Sequence, residues 1–244
     1  MNSSSTQLQS DQTLSMQSRL LAHAPFLVAC SMLVVIVAIY GSLQTGVFTI
    51  DEINLNTAAA MTLMLAATGQ TIVLLRGGID LSIGGMISLG TVIAATRFGE
   101  EPANILLWSA IILAIGLLIS VLRLQPFLVT LAGWSILNGI ALMILPTDGG
   151  KVPEWWIGSG YLEFLGLGTP VWILLALIVF WCWFRATRLC TIIKATGSSE
   201  KSAFLSGVSI TRINIITYGL SGFFAALASL YLTTQIGGGS PNIG

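Results

Sequence analysis

The sequence predicts an all-α fold, a polytopic bundle of transmembrane helices, and three observations predict it. Hydrophobic residues make up 55% of the chain and charged residues only 8%. A soluble domain carries about 25% charge, so too little polar surface exists here to cover a water-exposed globule. The apolar residues are gathered into about seven stretches, most near the ~20 residues that a helix needs to cross ~30 Å of hydrocarbon. Finally, Lys and Arg concentrate in alternate connections between those stretches, which marks a chain threaded repeatedly through a membrane.

Taken in order, residues 1–22 are rich in Ser and Gln with no sustained apolar run, and are expected to form a disordered cytoplasmic tail. The basic flank comes late and the apolar run after it is of span length, which fits a cleaved signal peptide poorly. The expected spans are 25–47, 56–75, 79–96, 103–122, 126–145, 169–184 and 213–234. Asp51 and Glu52 follow the first, and Arg76 closes the second. Pro126 suits a first helical turn, where its missing N–H costs nothing. Between the fifth and sixth spans, 146–168 reads as a loop carrying Trp155, Trp156 and Tyr161, residues that collect at the headgroup level. A short interfacial helix is expected there, around Glu154 to Ile157.

Placing the N-terminus inside puts Arg19, Arg76, Arg123, Arg185, Arg188, Lys194, Lys201 and Arg212 on the cytoplasmic side. Only Arg97 and Lys151, of 10 Lys and Arg in all, then face outward. The opposite orientation would break the charge rule at almost every loop. The C-terminus then lies outside.

Composition and motifs also exclude chemistry. Zero formal net charge gives no reason to expect nucleic acid. His23 is the only histidine, so no His-based catalytic or metal cluster exists, and Cys30, Cys182 and Cys190 form no CxxC pair. No catalytic set, no cofactor and no metal site is expected. No Walker A pattern occurs, so the chain does not bind ATP through a P-loop. A self-powered secondary transporter would show paired intramembrane charges or broken, internally repeated spans, and apart from Asp80 no acid lies near mid-span.

The most informative interruption is the loop 185–212, where five basic residues face the single acid Glu200. Ser198 or Ser199 suits an N-cap, Glu200 a first turn favoured by the helix dipole, and Gly207 a stop. A short amphipathic helix in such a loop rests on lipid or docks in a partner's groove; the residues alone leave both open.

Four motifs resemble those of the ribose-type ABC sugar permeases, the binding-protein-dependent inner-membrane components. They are Ala195–Thr196–Gly197–Ser198–Ser199–Glu200 with Ala203 and Leu205–Ser206–Gly207–Val208; Gly77–Gly78–Ile79–Asp80–Leu81–Ser82–Ile83–Gly84; Gln125–Pro126–Phe127–Leu128–Val129–Thr130–Leu131; and Tyr218–Gly219–Leu220–Ser221–Gly222. They stand in family order and cover nearly the whole chain. Ser199 replaces the family's usual Asn, and Phe204 a common Arg or Lys. The resemblance implies the membrane subunit of an importer in a bacterial inner membrane. It implies a second permease subunit, a periplasmic sugar-binding protein and a separate ABC ATPase as partners. It further implies that Gly197, Ser198, Glu200, Ala203, Leu205, Ser206 and Gly207 form the coupling helix that docks on the ATPase. Members of the family continue past the point where this sequence ends, through a Gly-rich segment and the last spans, so a truncated chain is expected. Related permeases for branched-chain amino acids or nucleosides are the nearest alternative.

Asp80 has two readings: an N-cap of the third span, or, as a costly carboxyl at the membrane, part of gating or coupling together with Ser82. Gln70, Thr130, Ser135 and Asn138 are uncharged polar residues inside spans. They either bond between helices or line a path for a hydroxyl-rich solute. Trp134 either packs or stacks on a sugar ring. Gly84 with Gly85, and Gly219 with Gly222, permit close helix approach.

Overall fold

A run of 16 residues with almost no polar face, SIGGMISLGTVIAATR, can only be stable where it is covered on every side, and the fold is arranged to do that. In the computed structural model, which describes residues 24, 26–43, 46, 48–99, 101–121 and 126–244 (side chains outside 115–129), this run is helix α3, Ser82–Arg97. The tail 1–22, Arg19, Arg123 and Gln125 lie outside the described residues.

The chain forms two compact units, Met1–Glu52 and Ile53–Gly244. The first holds α1, Phe26–Leu43. A turn at Gly46, φ +87°, follows it, with the Tyr40 hydroxyl donating to Glu52 Oε2 at 3.3 Å. Next comes α2, Ile50–Leu75, which takes Asp51 and Glu52 into its first turn, where acids are favoured. The helix thus starts six residues before the expected span 56–75.

In the second unit, α3 is followed by α4 (Pro102–Val121), α5 (Pro126–Ile144), a short α6 (Glu154–Ser159), and strands β1 (Glu163–Phe164) and β2 (Leu167–Gly168). Then come α7 (Thr169–Ala186), α8 (Arg188–Ser198), α9 (Glu200–Leu205) and α10 (Ile210–Ile236). The 27 residues of α10 span about 40 Å. It packs on both α3 and α4, while α5 covers another face of α3.

Two apolar cores result. Met86, Leu89, Val92, Ile112, Leu137 and Ala225 bind α3, α4, α5 and α10 together. Met61, Ile72, Phe184, Ile193, Phe224 and Ala228 bind α2, α7, α8 and α10. In hydrocarbon the hydrophobic effect does not drive helix association, so close packing and polar ties decide it. Small residues provide that closeness. A Cβ on Gly69 of α2 would stand 3.0 Å from the Ser221 carbonyl oxygen on α10, and one on Gly90 of α3 would overlap Ser229 Oγ. Outward residues such as Leu63, Met143 and Val179 are large, apolar and exposed, as lipid-facing side chains should be.

Four of the described helices are long and apolar enough to cross a membrane: Phe26–Leu43, Ile50–Leu75, Thr169–Ala186 and Ile210–Ile236. The helices α4 and α5 are 20 and 19 residues long, and their stretches with described side chains, Pro102–Ala114 and Thr130–Ile144, are apolar as well. Two connections hold the short helices expected of them, Glu154–Ser159 and Glu200–Leu205, and further structure besides. The stretch 185–212 is largely helical, because α8 buries Cys190, Ile193 and Thr196 on one stripe while Arg188 and Lys194 stay exposed. That three-residue spacing was hidden by the charge around it. Within 146–168 there is also a hairpin, closed by Leu165 (φ +54°) and Gly166 (φ +75°), the double positive-φ turn that suits strand twist.

The α2–α3 turn and α8–α9 share one end of the second unit, the basic end. At the opposite end the Lys151 amide donates to the Ala95 carbonyl at 3.2 Å, and Trp156 meets Phe98 edge-on at 5.3 Å. The Trp156 indole N–H donates to Thr233 Oγ1 at 2.9 Å.

Substituting Gly90 by Val tests the α3–α10 contact. Overpacking of this kind costs about 1–3 kcal/mol, so the purified variant should unfold at a lower temperature in detergent than wild type. An unchanged midpoint would show that the crossing is not tight.

Candidate functional site

The basic end is built from two tight helix stops. α2 ends with Gly77 at φ +83°: the Gly77 amide donates to the Leu74 carbonyl at 2.9 Å and the Gly78 amide to the Val73 carbonyl at 3.1 Å. α9 ends the same way at Gly207, φ +83°, with the Gly207 amide on Phe204 and the Val208 amide on Ala203. Both are six-to-one closures around a left-handed glycine, and any side chain at those positions would strain them.

Between α8 and α9 stands one extended residue, Ser199 (φ −155°, ψ 102°). Its amide donates to Ala195, ending α8, and its hydroxyl accepts from the Ser202 amide at 3.3 Å, starting α9. Of the two cap candidates the structure selects Ser199, and Ser198 closes α8. Ala203 is buried beneath α9, whereas Phe204 and Leu205 are 67% and 76% exposed. Ser206 donates its hydroxyl back to Ser202 at 2.9 Å. The result is a stubby helix with two apolar side chains held out into the surroundings.

This knob is seated on α2 and α10. A Cβ on Gly197 would overlap the Leu75 carbonyl oxygen and stand 2.8 Å from the Arg76 carbonyl carbon, so the α8 and α2 backbones meet directly. Arg76 spans the junction: Nε donates to Asn214 Oδ1 of α10 at 2.8 Å, and Nη2 pairs with Glu200 of α9 at 3.1 Å. Glu200 is largely open to solvent, so the ion pair is worth about 0.2–1 kcal/mol. Its contribution is therefore to fix the angle of α9 rather than to hold the fold together.

Beyond Arg76 lies Asp80, 4% exposed. The helix N-cap position belongs to Leu81, which makes no side-chain cap bond. The capping expectation for Asp80 is thus displaced by one residue. Its Oδ1 accepts from the Ser82 amide at 3.0 Å and the Ser82 hydroxyl at 2.7 Å, a local turn that satisfies the first donors of α3. Its Oδ2 accepts from the Ser221 hydroxyl of α10 at 2.8 Å. The Asp80 amide donates to Gln70 Oε1 of α2 at 3.3 Å. Overhead, Tyr218 fills the room left by Gly78, where a Cβ would come within 2.7 Å of its hydroxyl.

Gln70, Asp80 and Ser82 therefore form one network joining α2, α3 and α10. Thr130 and Asn138 lie on α5: Thr130 is fully buried, and Asn138 Oδ1 is buried without a hydrogen-bond partner among the described residues. Sequence reasoning gave no role to Arg76, Asn214 or the Ser221 hydroxyl. The available signal was adjacency, since Arg76 directly precedes one motif and Ser221 lies inside another.

A bundle of apolar helices of this kind, with helices long enough to cross a membrane, is the form of a membrane transport component. The chain matches, over residues 54–244, the family described as branched-chain amino acid transport system / permease component, and it belongs to that family. It is 31% identical over 229 residues to the ribose import permease protein RbsC of Escherichia coli K12, covering 87% of this chain and 70% of that one. With the ribose import permease of Bacillus subtilis 168 it shares 32% identity over 74% of this chain and 59% of the relative. With the galactofuranose transporter permease protein YtfT of E. coli K12 it shares 36%, over 77% and 57%. No solved structure matches the chain.

The Asp80–Ser221 tie is open to a double-mutant cycle. Ser221→Ala should cost about 0.6–2 kcal/mol of unfolding free energy and Asp80→Ala more, with the double variant no less stable than Asp80→Ala alone. Strict additivity of the two losses, read by unfolding in mixed detergent, would contradict the bond.

Proposed function

We infer that this chain is the membrane-spanning permease subunit of an ATP-driven importer of a monosaccharide. Its relatives are named for ribose, galactofuranose and D-allose, all sugars, and this supports a sugar over the branched-chain amino acids of the family description. The chain crosses a bacterial inner membrane about seven times, through α1, α2, α3, α4, α5, α7 and α10, with its N-terminus in the cytoplasm. The partition of basic residues supports this orientation: Arg76, Arg185, Arg188, Lys194, Lys201 and Arg212 gather at the knob end of the second unit. A separate ABC ATPase, a periplasmic sugar-binding protein and a second permease subunit, identical or paralogous, complete the machine.

One observation carries the mechanism: Phe204 and Leu205 stand exposed on a helix whose root is locked to two spanning helices. In our reading the ATPase receives these two side chains in a groove. Movement of the groove turns α9, and because Gly197 touches the α2 backbone and Arg76 grips both Glu200 and Asn214, α2 and α10 turn with it. The Asp80 network passes the same displacement to α3. The path opens to one side or the other as this group of helices tilts. Nothing on this chain hydrolyses ATP; its part is to convert a push into a change of access.

Glu200→Lys sets a cation against Arg76, and Gly207→Pro demands φ near −65° where +83° is needed. Both variants should insert normally yet lose sugar-stimulated ATP hydrolysis in the assembled complex. Normal stimulation in both would remove the docking assignment.

A further inference from the structure

The chain enters α7 through a hairpin that is fastened at its base and bare at its tip. At the base, the Leu162 carbonyl accepts the Thr169 amide at 2.8 Å and the Thr169 hydroxyl at 3.0 Å. The Gly168 amide donates to Asn54 Oδ1 of α2 at 2.9 Å. Glu163 pairs with Gly168 and Phe164 with Leu167, which leaves Leu165 and Gly166 to make the turn.

That turn is an odd place for a leucine. Two central residues at positive φ are served best by Asn-Gly, Asp-Gly or Gly-Gly. Leu165 nevertheless takes φ +54°, alone among the described non-glycine residues, and for a bulky side chain this is a genuine outlier. Packing within the chain does not explain the choice, because the leucine is 79% exposed. Leu162 and Phe164 beside it are each 65% exposed. A strained backbone that holds an apolar side chain outward calls for something outside the chain to cover it.

The position of the hairpin identifies the cover. The Phe164 ring lies 5.7 Å from that of Trp172, and the Trp172 indole N–H donates to the Phe164 carbonyl at 3.2 Å. Trp172 heads a stripe of α7 that continues through Leu175, Val179 and Trp183 at three- and four-residue spacing, all apolar and exposed. α7 is long and apolar enough to cross a membrane, and such a stripe is the face it turns to lipid. The hairpin therefore prolongs the lipid face of α7 beyond the helix's first turn. Successive side chains of a strand point to opposite sides, so Glu163 is turned away from the side that Phe164 takes. Tyr161, at the start of the hairpin, keeps its ring exposed while its hydroxyl donates to Gln235 Oε1 at 3.3 Å. An apolar ring with a wet edge suits the headgroup level.

We propose that the hairpin 161–168 is a lipid anchor: Leu162, Phe164 and Leu165 rest among the headgroups and upper acyl chains of the leaflet remote from the basic end. Through Asn54 and Thr169 the anchor sets the depth of α2 and α7 in the bilayer. The proposal needs α7 to span the membrane and does not depend on which solute the chain passes.

The test uses the full chain in proteoliposomes of phosphatidylethanolamine and phosphatidylglycerol, with Cys30 and Cys182 replaced by serine. Single nitroxide labels are placed at Leu165→Cys, at Glu163→Cys and, as a span control, at Val179→Cys. Collisions with oxygen, which concentrates in hydrocarbon, and with a neutral nickel chelate, which stays in water, give the depth of each label. The label at 165 should lie about 5–10 Å below the phosphates, the depth of apolar side chains resting in an interface, and the label at 163 should be shallower. A label at 165 as open to the nickel chelate as one in bulk water would overturn the anchor. So would a label shielded from both reagents, which means that protein covers the tip. A label at 179 in water would remove the α7 span and the anchor with it. Leu165→Asn, which suits the turn, should unfold in detergent no earlier than wild type; earlier unfolding would show that the leucine serves the fold itself.

Discussion

The structure depends on a contact in which two backbones touch. Gly197 lies against the carbonyls of Leu75 and Arg76 so closely that a single methyl group would not fit. Everything proposed about force transfer follows from that proximity. Helices separated by side chains can slide or repack, whereas two backbones in contact move together or separate altogether. Arg76 adds direction: with one nitrogen on α10 and another on α9, it sets the angle at which the short helix projects. The ion pair itself is weak, so the geometry rests on the glycine and the arginine only refines it.

The polar ties of the bundle sort by depth and by purpose. At the knob end, a carboxyl with three hydroxyl or amide donors joins α3 to α10 and an amide carries the network to α2. An intramembrane carboxyl is costly enough that partners of this kind are the rule. Farther along α3, the hydroxyls of Ser88 and Thr91 are occupied by backbone amides of a non-helical segment rather than by another helix. Ser88 and Thr91 are themselves fully buried, so both arrangements place polar groups inside the bundle.

Much of this was legible in the sequence. The apolar runs and the placement of Arg and Lys gave the helical membrane class, and the four motifs gave the family. The short helix after Ser199 followed from its capping serine, first-turn acid and terminal glycine. What stayed hidden was of two kinds. Helix bounds shifted where charge disguised periodicity: α8 buries a stripe of Cys190, Ile193 and Thr196 within a segment that reads as a basic loop. Pairings across more than a hundred residues, Arg76 with Glu200 and Asp80 with Ser221, carry no local signature at all. Asp80 shows the limit well. Its neighbours announce a helix start, and the structure does use one oxygen there, but the partner of the other oxygen could be learned only from the fold.

The account is most directly tested by measuring whether the knob and the α2–α3 turn form one rigid piece. Spin labels at Lys201 and Ile79, both exposed, report their separation in the assembled complex with and without bound nucleotide. A distance distribution that stays fixed while the complex cycles is the predicted result. A shift in that distance between nucleotide states would mean that the short helix hinges on its own, and the proposed route of force through Gly197 and Arg76 would be wrong.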